Sequence, residues 1–221
     1  KGFDAIGYAV KISVPPTLLA SSIGVIPNVE NAIDLAPKAV GDLVYLLGET
    51  KDECGAGEYY DHFGRLGNNV PETDSHTNLR LYKLYSRASR DRLIASAYAL
   101  NHGGLAVALA KKAIAGQLGI EIDLSKICHP EQSEGSKARK IDSSDAAPPQ
   151  NDKVLYSEST GRILVTVAPQ HKEKFEKNFK GFDHVYQIGH ITHTDRLNIK
   201  NTLNIDIKAL DEAYKAPLKD Y

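Results

Sequence analysis

Short apolar runs, each closed by glycine or proline, recur along the chain and constrain its fold more than any other feature. Residues 42–48 end at a glycine, and residues 162–167 lie between Gly161 and Pro169. Runs of this length, rich in β-branched residues, are typical of buried strands. Further strand-like runs cover residues 12–26, 120–124, 183–192, 197–199 and 203–207. The sequence therefore predicts a sheet of several short strands.

Apolar residues spaced three and four apart predict the helices. Residues 77–99 show this spacing and predict one or two amphipathic helices. Residues 105–115 predict a further helix, with Lys111 and Lys112 off its apolar stripe. Strands and helices mix without strict alternation, which favours an α+β fold with helices on the faces of the sheet over a doubly wound fold. Shorter helices are predicted at 58–63, 169–179 and 210–214.

Charge and composition exclude several classes of protein. The formal net charge is −1, which predicts no bulk attraction to nucleic acid or to an anionic membrane. No apolar run approaches the roughly 18 residues of a membrane span, and the residues after Lys1 lack an apolar signal core. The two cysteines form no CxxC pair, so we expect free thiols and a cytoplasmic protein. The chain lacks methionine, which we interpret as the mark of a fragment or a processed chain.

Residues 128–152 differ from the rest of the sequence. They are polar, rich in serine and proline, and contain almost nothing that could enter a core. Such a composition predicts an exposed insertion of the kind that is often disordered. We therefore expect a single domain built from residues 1–127 and 153–221.

The first candidate site precedes the helix at residues 105–115 and consists of Asn101, His102, Gly103 and Gly104. Two glycines allow a tight turn and the close approach of a ligand to the backbone. A helix N-terminus adds unpaired N–H donors and the positive end of the helix dipole, which together favour phosphate. The alternative is a plain turn, the commoner meaning of two glycines before a helix.

The second candidate site precedes the strand at residues 162–167. Its residues are Ser157, Glu158, Ser159, Gly161 and Arg162. Small hydroxyl groups and an arginine at the mouth of a strand are suited to a phosphate or a carboxylate, because the guanidinium offers two parallel donors. The alternative is a turn with a surface ion pair between Glu158 and Arg162.

The glycine-rich loop from residue 48 to residue 60 is a third place where chemistry is conceivable. Asp52, Glu53 and Glu58 carry oxygen ligands of the kind that Mg²⁺ prefers. The alternative is a solvated loop with Tyr59 and Tyr60 packed inward. The loop is no phosphate-binding P-loop, since the GxxxxGK[ST] pattern is absent. We predict no metal ligand and no catalytic residue, because the histidines form no metal pattern and no GxSxG motif occurs.

Several of these segments together resemble one known family. Their order matches the carboxy-terminal domain of phosphoribosylformylglycinamidine synthase, large subunit, in the aminoimidazole-ribonucleotide-synthase-related superfamily. The similarity covers most of the chain apart from residues 128–152. The matching segments are residues 15–19, 23–29, 41–53, 103–110, 157–162, 188–189, 196–197 and 212–217.

The resemblance implies an α/β/α layered, partly ferredoxin-like fold. It implies a whole enzyme that uses ATP, Mg²⁺ and glutamine-derived ammonia to convert formylglycinamide ribonucleotide to its amidine. The implied partners are the amino-terminal domains of the same enzyme, a glutaminase subunit and a small accessory subunit. Much of the ATP and Mg²⁺ chemistry would lie in the amino-terminal domains, so this domain would act mainly as a wall of the site.

The sequence departs from the family pattern before the helix at residues 105–115. Two positions that are acidic in the family are occupied by Ala99 and His102, and neither side chain supplies a hard oxygen ligand. A second interpretation is therefore a diverged scaffold or nucleotide-binding module of the same superfamily. A third is another relative, such as a selenophosphate synthetase, a thiamine-monophosphate kinase or a hydrogenase-maturation protein. For the ligase interpretation, we expect the two candidate turns to face one shared cleft.

Overall fold

The computed structural model describes residues 2–3, 6, 9–10, 19–26, 28–127 and 150–219. By its internal contacts the chain divides into two units, residues 1–32 and residues 33–221. In the first unit, β1 (Gly2–Phe3) pairs antiparallel with β2 (Ala9–Val10). The strand predicted within residues 12–26 is absent from the described part, 19–26, and the rest of it lies outside the described residues.

The second unit contains a mixed sheet of seven strands in the order β4-β6-β3-β7-β5-β8-β9. All neighbouring strands are antiparallel except β5 and β8, which are parallel. The strands are β3 (Leu43–Leu47), β4 (Ser96–Ala99), β5 (Gly119–Ile122), β6 (Ile163–Val167), β7 (Val185–Thr192), β8 (Arg196–Ile199) and β9 (Leu203–Asp206). The helices are α1 (Glu58–His62), α2 (Ser75–Arg90), α3 (Gly104–Gly116), α4 (Gln150–Tyr156), α5 (Lys172–Asn178) and α6 (Ile207–Lys215).

The sheet separates two hydrophobic cores, and the inner strand β3 contributes to both. Val44 and Leu46 enter the core that α3, α4 and α6 cover, whereas Tyr45 and Leu47 enter the core beneath α2 and α5. Successive side chains of a strand point to opposite faces, so a run that is apolar at every position fits a strand buried on both sides. The predicted α+β fold with helices on both faces of the sheet is confirmed.

One stretch of the predicted helix at residues 77–99 is wrong. Helix α2 ends at Arg90, and β4 pairs antiparallel with β6 as an edge strand. Leu93 and Ala97 are four residues apart and mimic the helical period, but over so short a stretch the period does not distinguish a helix from a strand. A turn through Arg92, whose φ is 53°, separates the two elements.

Most of the predicted insertion, residues 128–149, lies outside the described residues. Helix α4 begins at Gln150, so the last three residues of the predicted segment are helical. The Asp152 carboxylate accepts a hydrogen bond from the Tyr59 hydroxyl at 2.8 Å. The division into one domain and an insertion otherwise stays a prediction. Within the residues that the structure describes, no helix combines the length and the apolar character that crossing a membrane requires.

Lys112 corrects a further prediction, because its side chain lies inside the core and not off the buried face of α3. It is fully buried. Its ammonium nitrogen Nζ donates to the Ser96 hydroxyl at 2.6 Å and to the Leu35 carbonyl oxygen at 3.0 Å. Burial lowers the pKa of Lys112 to about 7, partly opposed by the nearby carboxylate of Asp34. Lys112 therefore joins α3, β4 and the segment before β3 through two hydrogen bonds.

This buried amine predicts how stability depends on pH. In the unfolded chain the pKa of Lys112 returns to 10.5, so between about pH 7 and pH 10 the unfolded state binds more protons than the folded state. The free energy of unfolding should rise with pH in this window, by at most about 1.4 kcal/mol per pH unit. Urea denaturation of the wild type and of Lys112→Met, from about pH 7 to pH 9, measures the difference.

The wild type should gain stability relative to Lys112→Met as the pH rises. The measurement stops near pH 9 because the Cys54 thiol, whose pKa burial raises to about 11, contributes an opposite slope to the stability of both proteins above that pH. Lys111→Met, a change at the half-buried neighbouring lysine, is the matched control and should keep the wild-type slope. A stability difference between wild type and Lys112→Met that stays constant across the window would contradict the assignment.

Candidate functional site

The turn before α3 has the backbone conformation that only glycine adopts without strain. Gly103 and Gly104 have φ angles of 77° and 60°. A side chain at Gly104 would overlap the carbonyl oxygen of Ser157 and would lie 2.8 Å from that of Leu155. The glycine pair therefore lets the start of α3 press directly against the segment that follows α4. The two candidate sites, about fifty residues apart in sequence, meet at this contact.

Glu158 is the residue that joins them. One carboxylate oxygen, Oε1, accepts a hydrogen bond from the Gly103 N–H at 2.9 Å. It also accepts one at 3.0 Å from the N–H of Glu58, which is the first residue of α1. The other, Oε2, lies 3.9 Å from the imidazole Nδ1 of His102. The Glu158 side chain is only 12% exposed. An internal carboxylate thus occupies the place at the start of α3 where an external anion was predicted.

Arg162 has turned inward, away from solvent. Its guanidinium donates to the Ser159 carbonyl oxygen at 3.1 Å, to the Thr50 hydroxyl at 3.1 Å and to the Ser157 carbonyl oxygen. Burial lowers its pKa to about 10, and the carboxylates of Glu53 and Glu158 oppose that shift. The alternative of a surface ion pair between Glu158 and Arg162 is wrong, since Arg162 is buried and bonds to other partners. Since Arg162 is only 1% exposed, an external anion could reach its remaining N–H groups only if the surrounding segments moved.

The glycine-rich loop belongs to the same site. The Lys51 N–H donates to the Ser159 hydroxyl at 3.1 Å, and the Glu158 N–H donates to the Glu53 carbonyl oxygen at 3.1 Å. Lys153 forms a 2.7 Å ion pair with Asp52. We call the whole arrangement the Glu158 junction. It comprises residues 50–58, 101–104 and 157–162.

The junction borders a small acidic cavity between the loop, the start of α2 and Ser159. The Asp74 carboxylate caps α2 by accepting from the N–H groups of His76 and Thr77 at 3.0 and 3.1 Å. Glu53 is buried and accepts from the Glu72 N–H at 3.2 Å. The lining contains one lysine and four carboxylates, so its charge repels phosphate. The lining residues are Gly48, Glu49, Lys51, Glu53, Glu72, Asp74, Thr77, Asn78, Leu81, Ser159, Thr160 and Phe182.

The residues present do not fit a Mg²⁺ ion. No group of three His, Cys, Asp or Glu side chains among the described residues is arranged to hold a metal. Of the three loop carboxylates considered as Mg²⁺ ligands, Asp52 pairs with Lys153, Glu53 is buried, and Glu58 is exposed. Ala99 and His102 stand where the family pattern has acidic residues. At the start of α3, the Glu158 carboxylate already takes up the Gly103 N–H, which a phosphate would otherwise use.

The predicted site residues therefore fall into two groups. Asn101 and His102 are exposed, and the His102 side chain is 80% accessible to solvent. The others lie inside the junction and hold its segments together: Gly103, Gly104, Ser157, Glu158, Ser159, Gly161 and Arg162. Sequence reasoning missed that the glycine-rich loop joins them. No local pattern connects residues a hundred positions apart, and the acidic character of the loop suggested a metal instead.

Comparisons with known proteins agree with this fold. A family model described as "AIR synthase related protein, C-terminal domain" matches residues 39–200. The phosphoribosylformylglycinamidine synthase subunit PurL of Carboxydothermus hydrogenoformans is 30% identical over 190 residues, which are 85% of this chain and 23% of that protein. The subunit of the same name from Methanocaldococcus jannaschii is 28% identical over 205 residues, 91% of this chain and 26% of that protein. The chain thus spans about a quarter of the length of these curated relatives.

Solved structures of Thermotoga maritima PurL share the fold. The complex with FGAR aligns with a TM-score of 0.65 and 16% identity, over 82% of this chain and 30% of that one. The structure of PurLQS aligns with a TM-score of 0.61 and 14% identity, over 82% of this chain and 28% of that one. The complex with ATP aligns with a TM-score of 0.57 and 15% identity, over 82% of this chain and 27% of that one. Since the family model matches most of the chain, including β3, α3, β6 and the Glu158 junction, the chain belongs to the AIR synthase related protein, C-terminal domain family.

Proposed function

We propose that this chain is the carboxy-terminal domain of an ATP-dependent phosphoribosylformylglycinamidine synthase of purine biosynthesis. The observation that carries the proposal is the 30% identity to a PurL subunit over 85% of the chain. The reaction replaces the amide oxygen of formylglycinamide ribonucleotide by nitrogen. ATP activates that oxygen by phosphoryl transfer, ammonia from glutamine attacks the carbon, and phosphate leaves. The chain spans about a quarter of its relatives, so the activity would belong to a longer assembly.

Within that assembly the domain would act as a wall of the site. The Thermotoga maritima relative has been solved with FGAR and with ATP, which supports a nucleotide-binding family. The described residues of this chain do not fit Mg²⁺, and Glu158 occupies the start of α3. We therefore assign Mg²⁺ and the phosphoryl transfer to other domains. The exposed Asn101 and His102 are the side chains here that remain available to touch a ligand.

The rest of the Glu158 junction positions that exposed turn. Three segments converge on Glu158 and Arg162, and each is held by at least one hydrogen bond to them. Binding sites gain precision when the residues around them are fixed by packing and hydrogen bonds. Asn101 and His102 would therefore be presented on a rigid edge, which suits residues that complete a site built mainly by neighbouring domains.

We propose the same partners and compartment that the family resemblance implies. The partners would be the amino-terminal domains of the same enzyme, a glutaminase subunit and a small accessory subunit. The PurLQS structure of the Thermotoga maritima relative supports such an assembly. A cytoplasmic location follows from the purine-biosynthetic role, and neither a nucleic acid nor a membrane is expected as a partner.

A chimera tests the function directly. Residues 33–219 of this chain replace the aligned segment of the Carboxydothermus hydrogenoformans PurL subunit. Ammonium salt replaces the glutaminase, and the assay follows formation of the amidine ribonucleotide and of ADP. We expect activity well above that of a subunit from which the segment has been deleted, because the domain should complete the site.

The same assay distinguishes the rival interpretation, a diverged scaffold. A chimera that folds, as circular dichroism and thermal melting show, yet turns over no faster than the deletion variant would refute the ligase proposal. A scaffold would also leave the chimera insensitive to changes at the exposed turn. In the ligase interpretation, Asn101→Ala combined with His102→Ala should lower kcat/KM about tenfold, with unchanged melting temperature.

Removing the Glu158 carboxylate should weaken the junction. Glu158→Ala leaves the N–H groups of Gly103 and Glu58 without their acceptor. Bonds to a charged acceptor are worth more than neutral ones, so we expect the free energy of unfolding to fall by about 2–4 kcal/mol. Glu158→Gln keeps an acceptor oxygen and should cost about 1 kcal/mol. Urea denaturation of the isolated chain near neutral pH measures both changes.

Glu173→Ala, on the exposed face of α5, is the matched control and should change stability by less than about 0.5 kcal/mol. Equal losses for Glu158→Ala and Glu158→Gln would show that side-chain packing, and not the acceptor oxygen, is what matters. A loss for Glu158→Ala no larger than that of the control would remove Glu158 from its central role.

A further inference from the structure

Positive charge is concentrated on one helical layer of a chain whose net charge is −1. Residues 75–92 and 172–180, which contain α2 and α5, carry nine lysines and arginines against three acidic residues. The basic residues are Arg80, Lys83, Arg87, Arg90, Arg92, Lys172, Lys174, Lys177 and Lys180, and the acidic ones are Asp91, Glu173 and Glu176. The remaining residues are correspondingly acidic, so the charge of the chain is segregated.

Helices α2 and α5 lie side by side and form one surface. The Asn178 side-chain amide, at the end of α5, donates to the Leu84 carbonyl oxygen in the middle of α2 at 2.9 Å. An ion pair of 4.0 Å joins Lys174 to Asp91 at the end of α2. Both helices pack their apolar sides on the same core beneath the sheet. Their outer sides are therefore continuous, and we call this surface the α2–α5 face.

Like charges repel one another at the centre of this face. Lys83, Arg87 and Arg90 are exposed and have no ion pair among the described residues. They follow one another at spacings of four and three along α2, where like charges repel each other by a few tenths of a kcal/mol per pair. Helix α2 itself contains no acidic residue that could pair with them. An opposing negative surface would remove this repulsion.

Two large apolar side chains stand beside these cations. Leu79 is 52% exposed and Tyr82 is 47% exposed. A leucine and a tyrosine among unpaired cations suit a protein partner, because protein interfaces bury apolar anchors within a charged rim. Nucleic acid is disfavoured, since Asp91, Glu173 and Glu176 share this layer and would repel a phosphate backbone.

We propose that the α2–α5 face docks an acidic surface of another protein or domain. Leu79 and Tyr82 enter an apolar contact with that surface, and Lys83, Arg87 and Arg90 pair with its carboxylates. This surface is separate from the Glu158 junction and uses none of its residues. The inference therefore stands or falls independently of the proposed function.

A peptide probe of defined chemistry tests the proposal. The full chain is titrated by fluorescence anisotropy with a labelled helical peptide rich in Glu and Leu. The same peptide with every Glu replaced by Gln, and a DNA duplex of similar length, are the comparison probes. We expect the acidic peptide to bind about tenfold more tightly than the Gln peptide, with affinity that falls as salt is raised.

Two triple variants with the same change in net charge provide the control. Lys83→Glu, Arg87→Glu and Arg90→Glu together should weaken binding of the acidic peptide about tenfold or more. The control variant changes three exposed lysines outside the α2–α5 face, by Lys126→Glu, Lys208→Glu and Lys219→Glu. It should change the affinity for the acidic peptide less than about threefold. Leu79→Ala with Tyr82→Ala should weaken the acidic peptide about threefold to tenfold, through loss of the apolar contact.

Three results would overturn the proposal. Equal weakening by both triple variants would show a general effect of net charge. Tighter binding of the DNA duplex than of the acidic peptide would assign the face to nucleic acid. No binding of the acidic peptide at millimolar concentration would leave the face as solvated surface. Circular dichroism and thermal melting of each variant confirm that the fold is intact.

Discussion

The arrangement of the candidate site depends on one carboxylate. Glu158 accepts from the backbone N–H groups of Gly103 and Glu58, and so joins the starts of two helices to the turn that leads into β6. Without it, the glycine-rich loop and the start of α3 would lose their common acceptor. A negative group at the start of a helix is electrostatically favourable. The chain satisfies that preference internally, which explains how a helix start that looks like an anion site can serve as a structural joint.

The scaffold behind the junction is fixed by burial on both sides of the sheet. Strand β3 sends alternate side chains into two separate cores, and the guanidinium of Arg162, just before β6, is buried and donates to three protein oxygens. Burying such a charge is costly unless it is hydrogen-bonded, so its partners and the turn that supplies them are strongly constrained. The polar joint and the apolar cores therefore hold each other in place.

The sequence predicted the fold well where the pattern is long or the composition extreme. The β-branched run of β6 and the apolar stripe of α3 identify their elements directly. It failed at β4, because four residues contain too little periodicity to distinguish a strand from the end of a helix. Lys112 was placed on the wrong side of α3, because nothing local shows that Ser96 and the Leu35 carbonyl oxygen would receive its ammonium group.

The candidate site was predicted in part for the same reason. The glycine pair and the turn around Glu158 each have a recognisable local pattern, and the structure brings them together as one joint. Their common partner, the loop through Thr50 and Lys51, could not be inferred, since the hydrogen bonds cross about a hundred residues of sequence. The inward orientation of Arg162 also depends on tertiary burial, which residue type alone does not reveal.

Helix α3 is held by polar bonds just before its start and in its second half. The Gly103 N–H at its start bonds to Glu158, and Lys112, about two turns later, bonds to Leu35 and Ser96. A helix held at these two places cannot slide along its axis without breaking the bonds at both of them. Displacement of the exposed turn at Asn101 and His102 should therefore tilt α3 as a whole. Because Lys112 bonds to Ser96, this tilt would reach β4 at the edge of the sheet.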